Sequence, residues 1–227
     1  MGSRGSAILT VLAVALAGCA SVGGGEPGAE QPAPEPSTPA TGREPASTAA
    51  ADTPTAAELA AAFLRDELGM LAPVAGNSTE TGQDTVDVPV RPGSLGEGAE
   101  PAQAPVTVVA LERAGDGWAV TSARTDQIQV DTPQPDQQVT SPVALAGKAS
   151  AFEGTVQVQV RQNIDGKDPV LGEAVVQGSG TMDLGPFKGQ VGFTGATPGP
   201  GWLVFFVTSE ADGQFVQATV VPVTLAG

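Results

Sequence analysis

The second half of the chain alternates hydrophobic and polar residues with the two-residue period of a β-strand. In the segment TVQVQVRQN (155–163), Val156, Val158 and Val160 fall on one face, while glutamine and arginine fall on the other. Six more segments of strand character are separated by Gly or Pro residues: 127–130, 142–149, 169–178, 187–195, 201–209 and 215–225. Seven short strands over residues 127–227 predict an immunoglobulin-like β-sandwich.

The sixth predicted strand contains WLVFFV (202–207), which is hydrophobic on both faces. This pattern is typical of a central strand that is covered on both sides. We expect one of its faces to pack against the module that precedes the sandwich. If Trp202, Phe205 and Phe206 were exposed, they would offer a stacking platform for a sugar, but burial is the commoner fate of such a run.

Residues 55–126 predict a small α+β module. Thr55 and Glu58 form a capping-box pattern that opens a helix, and Gly69 is a suitable residue to end it. We expect Trp118 to anchor this helix against a small sheet. Three strands follow in the pattern at 86–90, 106–112 and 118–124, the last two joined by a hairpin turn at 114–117, whereas 74–84 and 93–104 are predicted to be loops. The predicted fold class is therefore mainly β.

The N-terminal pattern differs from both modules. An uncharged apolar run, AILTVLAVALA (7–17), follows Arg4 and leads into Leu16-Ala17-Gly18-Cys19. The run has the length of a signal peptide core and is too short to span a bilayer. The segment resembles a bacterial lipobox. We therefore expect residues 1–18 to be a lipoprotein signal peptide and Cys19 to carry palmitate-type acyl chains, which would hold the protein at the extracytoplasmic face of the cell membrane.

Residues 19–54 join the expected lipid anchor to the folded part. The segment after Cys19 is dominated by Gly, Pro, Ala, Glu, Ser and Thr and has almost no large apolar side chain. Such a composition cannot bury enough surface to fold, so it predicts a disordered linker that acts as a spacer.

Composition and charge narrow the function. The chain has 10 Lys and Arg against 25 Asp and Glu, a net charge of −15, which argues against nucleic-acid binding. It has no histidine and a single cysteine, so it lacks the residues for a Ser–His–Asp or Cys–His arrangement, for a thiolate zinc site and for an internal disulfide. We expect no enzymatic activity, no cofactor and no bound metal.

Acidic residues supply the one candidate ligand patch. In a sandwich of this strand order, the loop that carries Glu153 lies at the same end as the loop that carries Glu210 and Asp212. Their convergence would favour a cation such as Ca²⁺ or a basic partner. Because Ca²⁺ needs six to eight oxygen ligands, ordinary turn roles for these residues are favoured.

Two further acidic pairs are expected to be solvated surface residues rather than catalytic pairs. Asp66 and Glu67 lie near the end of the predicted helix, and Asp165 and Asp168 flank a predicted turn.

An ordered set of motifs occurs in residues 127–227: VTSPV (139–143), GKA (147–149), FEGTV (152–156), GPF (185–187) and SEADG (209–213). With these motifs, the sandwich segment resembles the immunoglobulin-like domain of bacterial spore germination proteins, which often follows a GerMN module in membrane lipoproteins. Upstream, FLRDELGM and DGWAVTSARTDQIQV are similar to the segment that precedes this domain in some actinobacterial lipoproteins. The resemblance implies an extracytoplasmic, non-catalytic module for binding or scaffolding.

These observations favour a membrane-anchored lipoprotein that binds or scaffolds at the cell envelope, with a cell-wall polymer or an envelope protein as its partner. The alternative is a solute- or cation-binding lipoprotein that uses the acidic loop end or the junction between the modules. A cell-wall hydrolase is the third hypothesis, and it requires two carboxylates that face each other across a cleft.

Overall fold

The computed structural model describes residues 53–93, 106–164, 167–181, 183–209 and 213–227. These residues confirm the mainly β fold with a small helical part. The expected signal peptide, Cys19 and nearly all of the linker lie outside the described residues, as do Glu210 and Asp212. No helix of the described part has the length and hydropathy to cross a membrane.

The chain begins with helix α1 (Ala56–Ala62), which continues into a π-helical turn (Phe63–Glu67). Thirteen strands are then described: β1 (Val74–Ala75), β2 (Thr79–Glu80), β3 (Thr85–Arg91), β4 (Thr107–Ala114), β5 (Gly117–Arg124), β6 (Ile128–Thr132), β7 (Gln137–Val139), β8 (Val143–Ala149), β9 (Thr155–Arg161), β10 (Val170–Gln177), β11 (Gly185–Val191), β12 (Gly199–Thr208) and β13 (Phe215–Leu225).

Two sheets contain all of these strands. The larger one has the order β1-β3-β4-β5-β13-β12-β9-β10, with β2 paired to β3 and β7 paired to β13, and the smaller one has the order β11-β8-β6. The seven strands predicted for residues 127–227 are confirmed as β6 and β8 to β13. Strand β7 was missed because three residues are too few to show alternation. The larger sheet joins strands of both predicted modules, through the single register pair Val220–Ala123 between β13 and β5.

Strand β12 supplies side chains to two separate hydrophobic cores. Leu203, Phe205 and Val207 point into the core between the two sheets. Val204 and Phe206 point to the opposite face, into a second core that includes Ala60, Leu64 and Met70 of the helical part and valines of β3. The expectation that one face of WLVFFV packs against the preceding module is confirmed.

Helix α1 begins as the sequence predicts. The Thr55 hydroxyl accepts a hydrogen bond from the Glu58 backbone N–H at 3.3 Å, and the Glu58 carboxylate accepts one from the Thr55 backbone N–H at 2.8 Å. Gly69 adopts φ 79, a left-handed conformation that favours glycine, just after the helical segment. The small side chains of Ala56 and Ala60 are buried, so the helix axis lies close to the sheet.

Trp118 and the segment 74–84 differ from expectation. Trp118 is only half-buried at the margin of the second core, and the guanidinium of Arg113 lies 4.1 Å from its ring centroid. The anchoring role therefore belongs to the fully buried Leu64 and Met70. The segment predicted as a loop contains the two-residue strands β1 and β2, which are too short to give a pattern.

A buried polar seam joins β5, β6 and β13 where the main-chain pairing of β5 with β13 is sparse. The Thr219 hydroxyl donates to the Ile128 carbonyl at 2.7 Å and accepts from the Thr125 backbone N–H at 3.3 Å. The Thr125 hydroxyl donates to the Gln217 side-chain oxygen at 2.9 Å. Because these buried groups satisfy one another, they hold the sheets together without a desolvation penalty from unpaired atoms.

The shared strand predicts a single cooperative unfolding transition. Leu203→Ala removes a side chain from the core between the sheets, and Phe206→Ala removes one from the second core. We expect losses of unfolding free energy of about 2–5 and 3–5 kcal/mol respectively, each with one transition in calorimetry and in denaturant titration. Two resolved transitions in the wild type, or a Leu203→Ala effect confined to one of them, would contradict the shared core.

Candidate functional site

An open cleft lies where the helical segment ends on the outer face of the larger sheet. Its volume is about 420 Å³. One side is formed by Asp66 to Gly69, which follow helix α1, and the floor by outward-facing residues of β9 and β12. Residues 213–215, at the start of β13, close a further side. The cleft thus occupies the junction between the two predicted modules.

The apolar part of the cleft comes from the margin of the second core. Phe206 and Phe215 stack with ring centroids 5.4 Å apart and an angle of 22° between the ring planes. Val204 and Leu68 line the same cleft. Because Phe206 and Phe215 are 8% and 6% exposed, only their edges are accessible, so they form a wall rather than a stacking platform.

The three-ring sugar platform considered for this strand is not formed. Phe205 is fully buried against Phe187, at a centroid distance of 5.9 Å. Trp202 is partly buried and packs against Phe63 of the π-helical turn at 6.4 Å. The interpretation of this segment as a buried core strand is confirmed.

The polar part of the cleft centres on Arg161, at the end of β9. Alternation along β9 places Arg161 on the outer face, as predicted. The π-helical turn packs over this face, so the Arg161 side chain is only 15% exposed. Its guanidinium donates a hydrogen bond to the Glu67 backbone carbonyl and forms an ion pair with Asp168 at 3.3 Å. The Arg161 Nε has no hydrogen-bond partner among the described residues. Arg161 thus ties the end of the helical segment to the sandwich.

Asp168 corrects the sequence analysis, which predicted a solvated turn residue. Its side chain is 15% exposed and paired with Arg161. Burial raises the pKa of Asp168, while the charge of Arg161 and a hydrogen bond with Glu67 oppose that rise. Asp66, by contrast, is exposed as expected, and it pairs with its neighbour Arg65 at 2.7 Å.

Glu67 is the second carboxyl group at this junction; the residue is exposed as expected, but sequence reasoning missed its long-range contact. Partial burial raises the pKa of Glu67, and the negative charge of Asp168 and a hydrogen bond to it raise the pKa further. Arg161 forms its ion pair with Asp168 and meets only the backbone carbonyl of Glu67, so the Glu67 carboxyl has no ion pair of its own among the described residues. A hydrogen bond between the two carboxyl groups leaves no space for the sugar that a glycosidase pair, with its carboxyl groups roughly 5–9 Å apart, must enclose.

The acidic loop end remains a prediction. Glu153 is exposed and lies in a 3₁₀ turn (Phe152–Gly154) with φ 51. The turn is closed by a hydrogen bond from the Gly154 N–H to the Ala151 carbonyl at 2.8 Å. Its predicted companions Glu210 and Asp212 lie outside the described residues. Within the described ranges, no group of three or more His, Cys, Asp or Glu side chains could hold a metal ion.

The raised pKa of Glu67 predicts that Glu67→Gln stabilises the protein at neutral pH only. Below its ordinary pKa, the Glu67 carboxyl is neutral in both the folded and the unfolded protein, so it does not change the free energy of unfolding. Above its raised folded-state pKa, the folded protein holds an ionised Glu67 beside Asp168, which destabilises it. We expect the variant to raise Tm by about 1–2 °C at about pH 7, with the gain lost at about pH 4.

Thermal unfolding followed by circular dichroism measures this effect. Glu112→Gln, which makes the same change at an exposed site on β4, is the control and should leave Tm unchanged at both pH values. A Glu67→Gln variant less stable than wild type at neutral pH would show that the carboxylate is favourably bound.

Comparison with known proteins supports the resemblance for the sandwich alone. Residues 127–214 match the family model described as the immunoglobulin-like domain of bacterial spore germination. No curated protein matches the chain. The matched segment contains β6 to β12, and therefore both Arg161 and Asp168, whereas Glu67 and the helical wall of the cleft precede it. Residues 127–214 are therefore similar to the immunoglobulin-like domain of bacterial spore germination.

Proposed function

We propose that the protein is a membrane-anchored extracytoplasmic lipoprotein whose folded part is a non-catalytic binding or scaffolding module of the cell envelope. The observation that carries this proposal is the immunoglobulin-like domain at residues 127–214, which shares one sheet with the helical module before it. The two form one compact unit over residues 53–227. A unit of this kind presents fixed surfaces to a partner.

The charged groups at the cleft support a non-catalytic role. Arg161 pairs with Asp168 and donates to the Glu67 carbonyl, so it joins the helical segment to the sandwich instead of standing free in the cleft to act on a substrate. The chain has no histidine, so it has no imidazole to serve as a base near neutral pH.

The lipobox-like segment at Leu16–Cys19 supports the anchor. Two acyl chains on Cys19 would give stable attachment where one chain is marginal. The composition of residues 19–54 supports a spacer, which would reach at most ~3.1 Å per residue between the membrane and Thr55.

We predict that Cys19→Ala releases the protein from the membrane. Wild-type protein should partition with the membrane fraction and incorporate an alkyne-labelled palmitate, whereas the variant should do neither, because the acylated thiol is lost. Ser21→Ala, two residues away, is the matched control and should behave as wild type. A Cys19→Ala variant that stays in the membrane fraction would rule out the lipid anchor.

A partner at the cleft can be sought by site-specific photo-crosslinking in intact envelopes. We predict a discrete adduct when the crosslinker replaces Gln159, which lines the cleft, and none when it replaces Gln129, exposed on the smaller sheet. The adduct should contain an envelope protein or a cell-wall polymer. Equal labelling from both positions, or none from either, would contradict a binding role for the cleft.

The second candidate function is solute or cation binding at the junction of the modules. The cleft favours it, since about 420 Å³ falls within the size range of small-molecule sites. The acidic loop end with Glu153, Glu210 and Asp212 is the other proposed cation site, and it rests on the sequence argument alone.

A further inference from the structure

We propose that the junction cleft binds an organic ammonium group, a single positive charge on a short apolar stem. This inference rests on the proposed binding role and names the ligand chemistry for it. The amine of a small solute and the amine of a lysine side chain share this chemistry.

The shape and lining of the cleft suit an apolar stem. Four apolar residues line the cleft: Leu68, Val204, Phe206 and Phe215. The two rings are held against each other and against the second core, so they cannot turn outward to stack on a flat ligand. An alkyl chain can lie along their accessible edges and remove apolar surface from water.

The charges at the cleft leave one carboxylate without a full counter-charge. Asp66 is paired with Arg65 on the protein surface, and Asp168 is paired with Arg161. Glu67 lines the cleft and faces Asp168, but the guanidinium of Arg161 meets its backbone carbonyl, not its carboxylate, in a hydrogen bond. With both carboxyl groups ionised, the group of Glu67, Asp168 and Arg161 carries a net charge of −1, which one cation would neutralise.

Other ligand classes fit less well. Arg161 is the one cationic residue among the described residues that line the cleft, and Asp168 already offsets its charge, so an anion would meet no net positive charge there. A divalent metal ion such as Ca²⁺ needs six to eight oxygen ligands, and the side chains of Leu68, Val204 and Phe206 supply none. A monovalent inorganic ion would gain nothing from these side chains.

Binding should be coupled to proton release. Burial and the neighbouring Asp168 raise the pKa of Glu67, so part of the unliganded protein carries a proton there as the pH falls. An ammonium group beside Glu67 stabilises the carboxylate and displaces that proton. Acid therefore competes with the ligand.

The test is isothermal titration of the full-length Cys19→Ala variant with n-butylammonium at low ionic strength. This variant keeps the result independent of the lipid anchor. We expect saturable one-site binding that is weaker at about pH 4 than at about pH 7, with proton release shown by titration in two buffers of different ionisation enthalpy. Neutral n-butanol and potassium should each bind at least about tenfold more weakly.

Matched variants locate the site. Adding Glu67→Gln should weaken n-butylammonium binding about tenfold or more, while adding Glu112→Gln, an exposed acid on β4, should change it by less than about twofold. Circular dichroism checks that each variant is folded, and chemical-shift changes in the amide spectrum should centre on residues 66–69, 206–208 and 213–215.

Three results would overturn the inference: no saturable binding, equal binding of n-butanol, or equal losses of affinity from Glu67→Gln and Glu112→Gln.

A lysine-containing tripeptide distinguishes the two sources of the ammonium group. Tighter binding of the tripeptide than of n-butylammonium identifies a polypeptide ligand, and weaker binding identifies a small amine. If the cleft fails this test while crosslinking from Gln159 succeeds, the ammonium assignment alone is wrong. If both fail, the binding role of the cleft fails with it.

Discussion

The structure depends on the pairing of β12 with β13, a ladder that is buried on both faces. Its register runs from Gly199 opposite Leu225 to Thr208 opposite Phe215. Side chains of successive residues point to opposite faces and enter different cores. The same strands therefore stabilise the sandwich on one face and the helical module on the other. The domain matched by the germination family thus lacks a free outer face at these strands, because the preceding module covers it.

The cleft forms where the helical segment stops covering the outer face of the larger sheet. The helical segment stops at Gly69, whose left-handed conformation turns the chain back, while β12 continues to Thr208. Phe206 and Phe215 remain packed at the boundary, and the next outward-facing residues are polar. The site therefore combines the margin of a hydrophobic core with the polar face of a sheet, and neither module has that combination alone.

Local patterns predicted most of the fold, since alternation, capping and turn residues act within a few positions of each other. The sequence predicted the seven strands, the start of the helix at Thr55 and the burial of β12 on both faces. The candidate site was not, because its contacts are long-range: Glu67 and Arg161 are separated by 94 positions. Asp168 had the appearance of a turn residue, and only the tertiary arrangement that places the π-helical turn over β9 buries it. Arg161 itself was a signal, because it is the one charged residue on an outer face of β9 whose other residues, Thr155, Gln157 and Gln159, are uncharged.

The charged junction is poorly explained by stability alone. Removing Arg161 and Asp168 from water is costly, and a buried ion pair is often no better than well-packed apolar residues of similar size. The raised pKa of both Glu67 and Asp168 shows that burial disfavours their ionised forms. An apolar joint would hold the helical segment at least as well, as Phe63 and Trp202 already do nearby. The charged group of Arg161, Asp168 and Glu67 is incompletely neutralised and lies beside an open cleft. It is therefore better suited to bind a ligand, and its net negative charge favours a cation.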